Sequence, residues 1–247
     1  MSPSKYQVPS ASHGDEVAML LSHADDNMVL AQRLGNWISR APELEEDIAL
    51  GNIALDHLGV ARALYTLAGT VEDRGRDEDD LAMFRTEQEY LNLLLVEQPN
   101  GDFAHTMVRQ FLFDCYQIQL WEDLSACADV ELAGIASRAL KEAKYHFRHS
   151  SGWVIRLGDG TQESSRRAQA AVDALWQYID EMFQGDTDGY RLAWEHSVIS
   201  VFAEAGLTIP EDPHQESGGR QGAHTEHLAP LLAEMQWMQR SYPGLKW

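Results

Sequence analysis

The stretch that decides the fold reads Ser137-Arg-Ala-Leu-Lys-Glu-Ala-Lys-Tyr-His-Phe-Arg-His-Ser-Ser-Gly-Trp153. At helical spacing, one face of this stretch carries small or apolar side chains and a single histidine. The residues on that face are Ala136, Ala139, Ala143, His146, Ser150 and Trp153. The spacing therefore predicts a helix whose inner face presents the imidazole of His146.

This helix is similar to a metal-binding helix that lacks its carboxylate. In helix bundles that hold two irons, two helices each supply a Glu and two others each supply a Glu-x-x-His pair. Three residues before His146 stands Ala143, and Glu142 is rotated by roughly 100° away from the inner face. We therefore predict that the di-iron site is degenerate.

Outward from this stretch, the chain is predicted to be helical nearly throughout. The predicted helices cover about 15–40, 43–70, 81–96, 102–127, 161–183, 190–205 and 225–240, and 206–223 is the longest irregular stretch. No strand alternation and no repeat occur. The prediction is one all-α domain over 15–247, a bundle with additional helices, after a Pro/Ser-rich tail over 1–14 that is predicted to be disordered.

Composition narrows the possible partners. The 247 residues carry a formal net charge of −20, which repels nucleic acid and anionic membranes. No run of 18 apolar residues and no apolar leader segment occur, and Cys115 and Cys127 lack metal-site spacing. We expect a cytoplasmic protein, with the acidic surface either simply solvated or facing a basic patch on a protein partner.

Four polar residues interrupt apolar stripes on four different predicted helices: Asn27, Asp56, Asp114 and His146. Burying such groups without partners would cost several kcal/mol, so we expect them to meet. Two carboxylates and one imidazole fall short of the four carboxylates and two imidazoles of a di-iron centre. A hydrogen-bonded cluster is favoured over a metal site, and neither a metal nor a catalytic residue is predicted for this chain.

Two other groupings are weaker. Glu211 and His214 have Glu-x-x-His spacing, but Pro213 places them in a loop. His224-Thr-Glu-His227 could be a ligand cluster, yet Thr225 and Glu226 also suit the start of a helix. The structural interpretation of the 224–227 segment is favoured.

Several longer motifs resemble a known family. They are Arg33-Leu-Gly-Asn-Trp37, Arg40-Ala-Pro-Glu-Leu44, Leu93-Leu-Leu-Val-Glu-Gln-Pro-Asn-Gly101, Lys141-Glu-Ala-Lys-Tyr-His146, His224-Thr-Glu-His-Leu228 and Leu232-Ala-Glu-Met-Gln236. They look like the PaaC-type subunit of the ring 1,2-phenylacetyl-CoA epoxidase, the multicomponent oxygenase of aerobic phenylacetate breakdown. The resemblance extends from about residue 25 to the end of the chain.

The resemblance implies a ferritin-like helical subunit without its own metal or cofactor. In that system a homologous catalytic subunit holds the di-iron centre, a small subunit bridges, and a reductase carries flavin and iron–sulfur groups. Matched to the catalytic subunit's motifs, Asn27 stands where it has its first Glu and Asp114 where it has an Asp. Asp56-His-Leu-Gly59 stands at its Glu-Ala-Gly-His and Ala143-Lys-Tyr-His146 at its Glu-Ser-Phe-His.

Two functions stay open at this point. The favoured one is a non-catalytic subunit that binds and supports the di-iron subunit and helps form the wall of the acyl-CoA site. The alternative is an iron-binding oxygenase or ferritin-like protein with its own reduced metal site. The resemblance also implies that Glu89-Tyr90-Leu91-Asn92 lies near the phenylacetyl-CoA entrance, where these residues either contact substrate or only pack.

Overall fold

The structure, a computed structural model, describes residues 13–185, 188–211 and 213–244. All regular secondary structure within those ranges is helical, so the all-α prediction is confirmed. The α-helices are α1 (His13–Gly35), α2 (Leu44–Glu72), α3 (Glu78–Met83), α4 (Leu94–Glu97), α5 (Phe103–Leu124), α6 (Val130–Gly158), α7 (Gln162–Leu175), α8 (Asp188–Ala205), α9 (Leu228–Met235) and α10 (Trp237–Ser241). None of these helices is long and apolar enough to cross a lipid bilayer.

The predicted N-terminal tail lies outside the described residues except for its last two, which form the start of α1. The remaining chain divides into two compact units. Unit A contains the described residues of 100–217, and unit B contains 13–99 together with 218–244. The single domain predicted from the sequence therefore stays a prediction.

Unit B is built on the antiparallel pair of α1 and α2. Every residue of α1 from 20 to 31 is buried, so its polar side chains lie in the core together with its apolar ones. This burial on all sides means that α1 contributes carboxylates as well as leucines to the interior. Each of those carboxylates needs a partner from the surrounding segments.

Unit A is built on the antiparallel pair of α5 and α6, with α7 and α8 packed against it. On the predicted stripe of α6, Ala136, Ala139, Ala143, His146 and Ser150 are buried, and Trp153 is half-buried. Trp153 meets Phe103 edge-on, with ring centroids 5.0 Å apart. Small side chains along α6 allow close packing against α5. Because they recur at helical spacing, the sequence alone predicts which face of α6 is buried.

The single helix predicted over 81–96 is wrong. The chain there forms α3, a 3₁₀ turn at Glu87–Glu89 and α4, with extended residues between them. The backbone N–H groups of Leu91 and Leu93 donate instead to the buried carboxylates of Asp25 and Asp26, at 2.8 and 2.7 Å. Tertiary hydrogen bonds therefore override the local preference for helix.

Three other boundaries differ from the prediction. The first helix ends at Gly35 rather than near 40, and tight turns follow it. The helix predicted over 225–240 breaks at Gln236, whose amide donates to two backbone carbonyls of the 82–85 segment, both at 3.0 Å. The helix predicted over 161–183 passes into 3₁₀ turns after Leu175.

Buried ion pairs fasten the irregular segments of unit B to α1. The guanidinium of Arg85 donates to both oxygens of Asp25, and Tyr65 also donates to Asp25, at 2.6 Å. Arg220 donates to both oxygens of Asp26, at 3.1 and 2.7 Å. Burial raises the pKa of Asp26, but the charge of Arg220 and the nearby imidazole of His23 outweigh that effect, so the net pKa is lowered.

A third carboxylate, that of Glu97, holds the segment before α9. Oε1 accepts hydrogen bonds from the backbone N and the hydroxyl of Thr225, at 2.6 and 2.7 Å. Oε2 accepts from the amide of Asn92 at 2.9 Å and lies 2.8 Å from Nδ1 of His224. His224 Nε2 donates to the carbonyl of Tyr90, so both ring nitrogens face acceptors and the cation is favoured. Burial lowers the pKa of His224, but Glu97 and that carbonyl raise it overall.

The Glu97 network predicts a large stability effect for one substitution. Glu97→Ala leaves a buried imidazolium, an amide and a hydroxyl without their acceptor, which should lower the free energy of unfolding by about 3–5 kcal/mol. Chemical denaturation measures the change. Glu234→Ala on α9 is the matched control, since Glu234 is exposed, and it should change stability by less than about 0.5 kcal/mol. Equal effects of the two substitutions would contradict the assignment of Glu97 as the centre of this network.

Candidate functional site

In unit A, α5 carries a fully buried carboxyl group, that of Asp114. Gln110 donates to Oδ1 and Ser150 of α6 donates to Oδ2, each at 2.7 Å. Burial raises the pKa of Asp114 to about 7, while His146 and the two hydrogen bonds oppose that rise. Both oxygens of the group therefore already have donors within unit A.

His146 lies one turn before Ser150 on α6, and only 2% of its surface is exposed. One turn earlier again, Ala143 is buried and offers only a methyl group. Because a Glu-x-x-His pair needs its carboxylate at that position, α6 cannot supply the pair. The predicted burial of Ala143, His146 and Asp114 is observed.

In unit B, the buried amide of Asn27 is paired with the buried imidazole of His57. The Nδ2 of Asn27 donates to the carbonyl of His23, so its Oδ1 is the acceptor for Nδ1 of His57; both distances are 2.8 Å. This arrangement places the proton of neutral His57 on Nδ1. Asn27 is thus committed to hydrogen bonds within unit B.

Asp56 is a correction to the sequence prediction. It is only half-buried, whereas its neighbour His57 is 1% exposed. The buried face of α2 includes Ile53 and Val60, and an inward residue between them can follow at spacing three or four. The sequence pattern favoured position 56, but the centre of the buried face passes through position 57.

The residues at these positions do not fit a di-iron centre. Asn27 and Ala143 carry no carboxylate, Gly59 has no side chain, and Asp114 accepts two hydrogen bonds from side chains of its own unit. A carboxylate-bridged pair of irons needs four carboxylates and two imidazoles.

Two side chains of the 89–92 segment, which is predicted to lie near the substrate, are buried. Tyr90 and Asn92 are both 0% exposed, and the Tyr90 hydroxyl donates to the carbonyl of Ala82. The packed interpretation of Tyr90 is therefore correct, and Asn92 is a buried amide bound to Glu97 rather than a surface group. Contact of these two side chains with substrate stays a prediction, which their burial within this chain disfavours. Glu89 is exposed and Leu91 half-buried, so their contact with substrate stays a prediction.

Sequence reasoning missed the ion pairs of unit B. The signal was present as Asp25-Asp26-Asn27, three polar residues in succession directly before the apolar run 28–31 of the same helix. Consecutive residues point in different directions around a helix, so all three can be buried only when every side of it is covered. The His224–His227 segment proved to be a loop bound to Glu97, not a helix start.

The whole chain, residues 1–247, matches the family model described as phenylacetic acid catabolic protein. It is also 45% identical over 244 residues to the Escherichia coli (strain K12) protein named as the C component of 1,2-phenylacetyl-CoA epoxidase. That match covers 93% of this chain and 98% of the relative. Both findings confirm the resemblance carried by the sequence motifs.

The raised pKa of Asp114 predicts a pH-dependent stability. Between about pH 4 and pH 7 the folded protein keeps a proton that the unfolded chain loses, so the free energy of unfolding should fall as pH rises. The slope can reach about 1.4 kcal/mol per pH unit and should vanish above the folded pKa. Asp114→Asn should remove this contribution. Denaturant titrations of the parent chain and of Asp114→Asn from pH 4 to 8 measure this contribution. A difference in unfolding free energy between the two proteins that stays the same at every pH would contradict the buried-carboxyl interpretation.

His146 and His149 form a matched pair for mutation. His146→Ala removes a buried imidazole beside Asp114 and should cost about 2–4 kcal/mol of stability. His149 is only half-buried and lies off the stripe, so His149→Ala should cost less than about 1 kcal/mol. Thermal unfolding of the two variants tests this, and equal shifts in melting temperature would mean that the inner face is assigned wrongly.

Proposed function

The chain belongs to the phenylacetic acid catabolic protein family, and on that basis we propose that it is the non-catalytic subunit of a phenylacetyl-CoA 1,2-epoxidase. In this proposal it binds the homologous di-iron catalytic subunit and supports that subunit's fold. The same complex includes a small bridging subunit and a reductase with flavin and iron–sulfur groups. The chain itself carries no cofactor, has a ferritin-like bundle fold and works in the cytoplasm.

One observation carries this proposal. On α6, the buried Ala143 stands one turn before the buried His146, at the position where a metal helix needs its carboxylate. The companion groups are engaged elsewhere, since Asn27 binds His57 and His23, and Asp114 binds Gln110 and Ser150. Helices whose buried polar groups already have hydrogen-bond partners are suited to rigid support rather than to binding oxygen or iron.

The charge of the chain supports a proposal that the partner binds most of the substrate. With a net charge of −20, its surface repels the phosphates of an acyl-CoA. The partner's basic residues are therefore the ones that hold the phosphates. The Tyr90 and Asn92 side chains are buried, so in this proposal contacts from this chain come from its exposed groups.

The alternative is a protein with its own reduced metal site. The feature in its favour is that unit A buries the carboxyl group of Asp114 near the imidazole of His146. Carboxylate and imidazole are both ligands that iron accepts. Metal content separates the alternative from the favoured function.

We predict that the chain expressed alone in iron-rich medium contains far less than two irons per chain and shows no oxo-bridge absorption. Co-expressed with the catalytic subunit, it should yield an active complex whose iron is accounted for by that subunit alone. Elemental analysis and visible absorption of both preparations measure this. A stoichiometric di-iron signal in the isolated chain would favour the alternative.

Ala143→Glu is the control for the metal analysis. It restores one carboxylate, but Asn27 still lacks a carboxylate and Gly59 still lacks an imidazole, so iron content should not rise to two per chain. An iron content near two in this variant would show that the site is one residue short rather than lost.

A further inference from the structure

The outer face of α2 carries an exposed apolar stripe. Leu44, Ile48 and Leu55 are 69%, 57% and 64% exposed, and Leu58 continues the same line at 37%. Their spacings of four, seven and three residues place them on one side of the helix, opposite its buried face. At 1.5 Å per residue, the stripe is about 21 Å long.

Single exposed apolar residues are ordinary on a protein surface, but several large ones aligned on one helix face favour contact with another molecule. Two glycines lie along the same row. A Cβ added at Gly51 or Gly59 would meet no atom within 4 Å, so both positions open onto free space. The larger side chains and the two gaps together form a surface of ridges and hollows into which another helix can pack.

The charges around the stripe are acidic. Glu45, Glu46 and Asp47 lie in the first turn of α2, directly beside Leu44 and Ile48. The helix has one basic residue, Arg62, and its guanidinium already binds the carboxylate of Glu78 at 3.2 Å. A partner that covers the stripe is therefore complementary in charge when it brings Lys or Arg to the Leu44 end.

A second copy of this chain does not meet that requirement. Each copy carries a net charge of −20, and an antiparallel copy would bring only the neutralised Arg62 toward the acidic first turn. Repulsion between two such acidic chains opposes association. The charge pattern favours a different chain with an apolar helix face and a basic rim.

We propose that the Leu44–Leu58 stripe is the docking surface for the homologous catalytic subunit, which packs an apolar helix there and sets basic side chains against Glu45 and its neighbours. This inference rests on the proposed function, because it names the surface that performs the proposed binding. The glycines let the two helices approach closely, and the acidic turn sets their direction.

The test uses the chain co-expressed with the catalytic subunit and a tag on one of the two. Leu55→Glu places a charge at the middle of the stripe. It should raise the dissociation constant by at least about 30-fold. Glu45→Lys should raise the dissociation constant by roughly 3–10-fold and make it less dependent on salt concentration. Leu192→Glu is the matched control, since Leu192 is 70% exposed on α8, and it should leave binding unchanged. Unchanged melting curves of the isolated variants show that they fold.

The outcomes separate the surface from the function. If the parent chains copurify but Leu55→Glu binds as well as the parent, the surface is wrong and the proposed function stands. An equal loss in Leu192→Glu would also overturn the surface. A homodimer of the isolated chain that Leu55→Glu dissociates would assign the stripe to a second copy instead. If the parent chains do not bind each other at all, the proposed function and the surface both fail.

Discussion

Buried carboxylates need hydrogen-bond donors, and unit B of this protein is organised to supply them. Asp25, Asp26 and Glu97 are buried, and each collects donors from segments distant in the sequence. Removing one partner of such a pair leaves an uncompensated charge in a medium of low dielectric constant. The extended residues around 91–93 and the loop before α9 owe their conformations to these contacts rather than to local preferences.

The same requirement bears on function. On the inner faces of the long helices, Asn27 pairs with His57, and Asp114 pairs with Gln110 and Ser150. These hydrogen bonds satisfy the buried polar groups of those helices. Ala143 is buried and adds only a methyl group, so α6 offers no carboxylate one turn before His146. Under the proposed function, a fold built for catalysis is kept as a support for a catalytic partner.

The sequence predicted the parts of the structure that repeat with helical periodicity. The stripe of α6 was readable because its small residues recur every three or four positions, and a run of alanines leaves little ambiguity about the inner face. On α2 the same rule allowed either Asp56 or His57, and burial selected His57. The break in 81–96 could not be read locally, since its cause is the pair of carboxylates on α1. Tyr90 shows the same limit, because an aromatic residue in a polar segment gives no sign of whether it packs or binds.

The position of iron in the assembled complex tests the central claim most directly. Crystals of the complex purified through one tag would be measured at the iron absorption edge, where anomalous scattering locates each metal. We expect iron only in the catalytic subunit, with no anomalous peak beside His146 or Asp114 of this chain. A pair of iron peaks next to α6 at comparable occupancy would contradict the claim that this chain supports catalysis without a metal of its own.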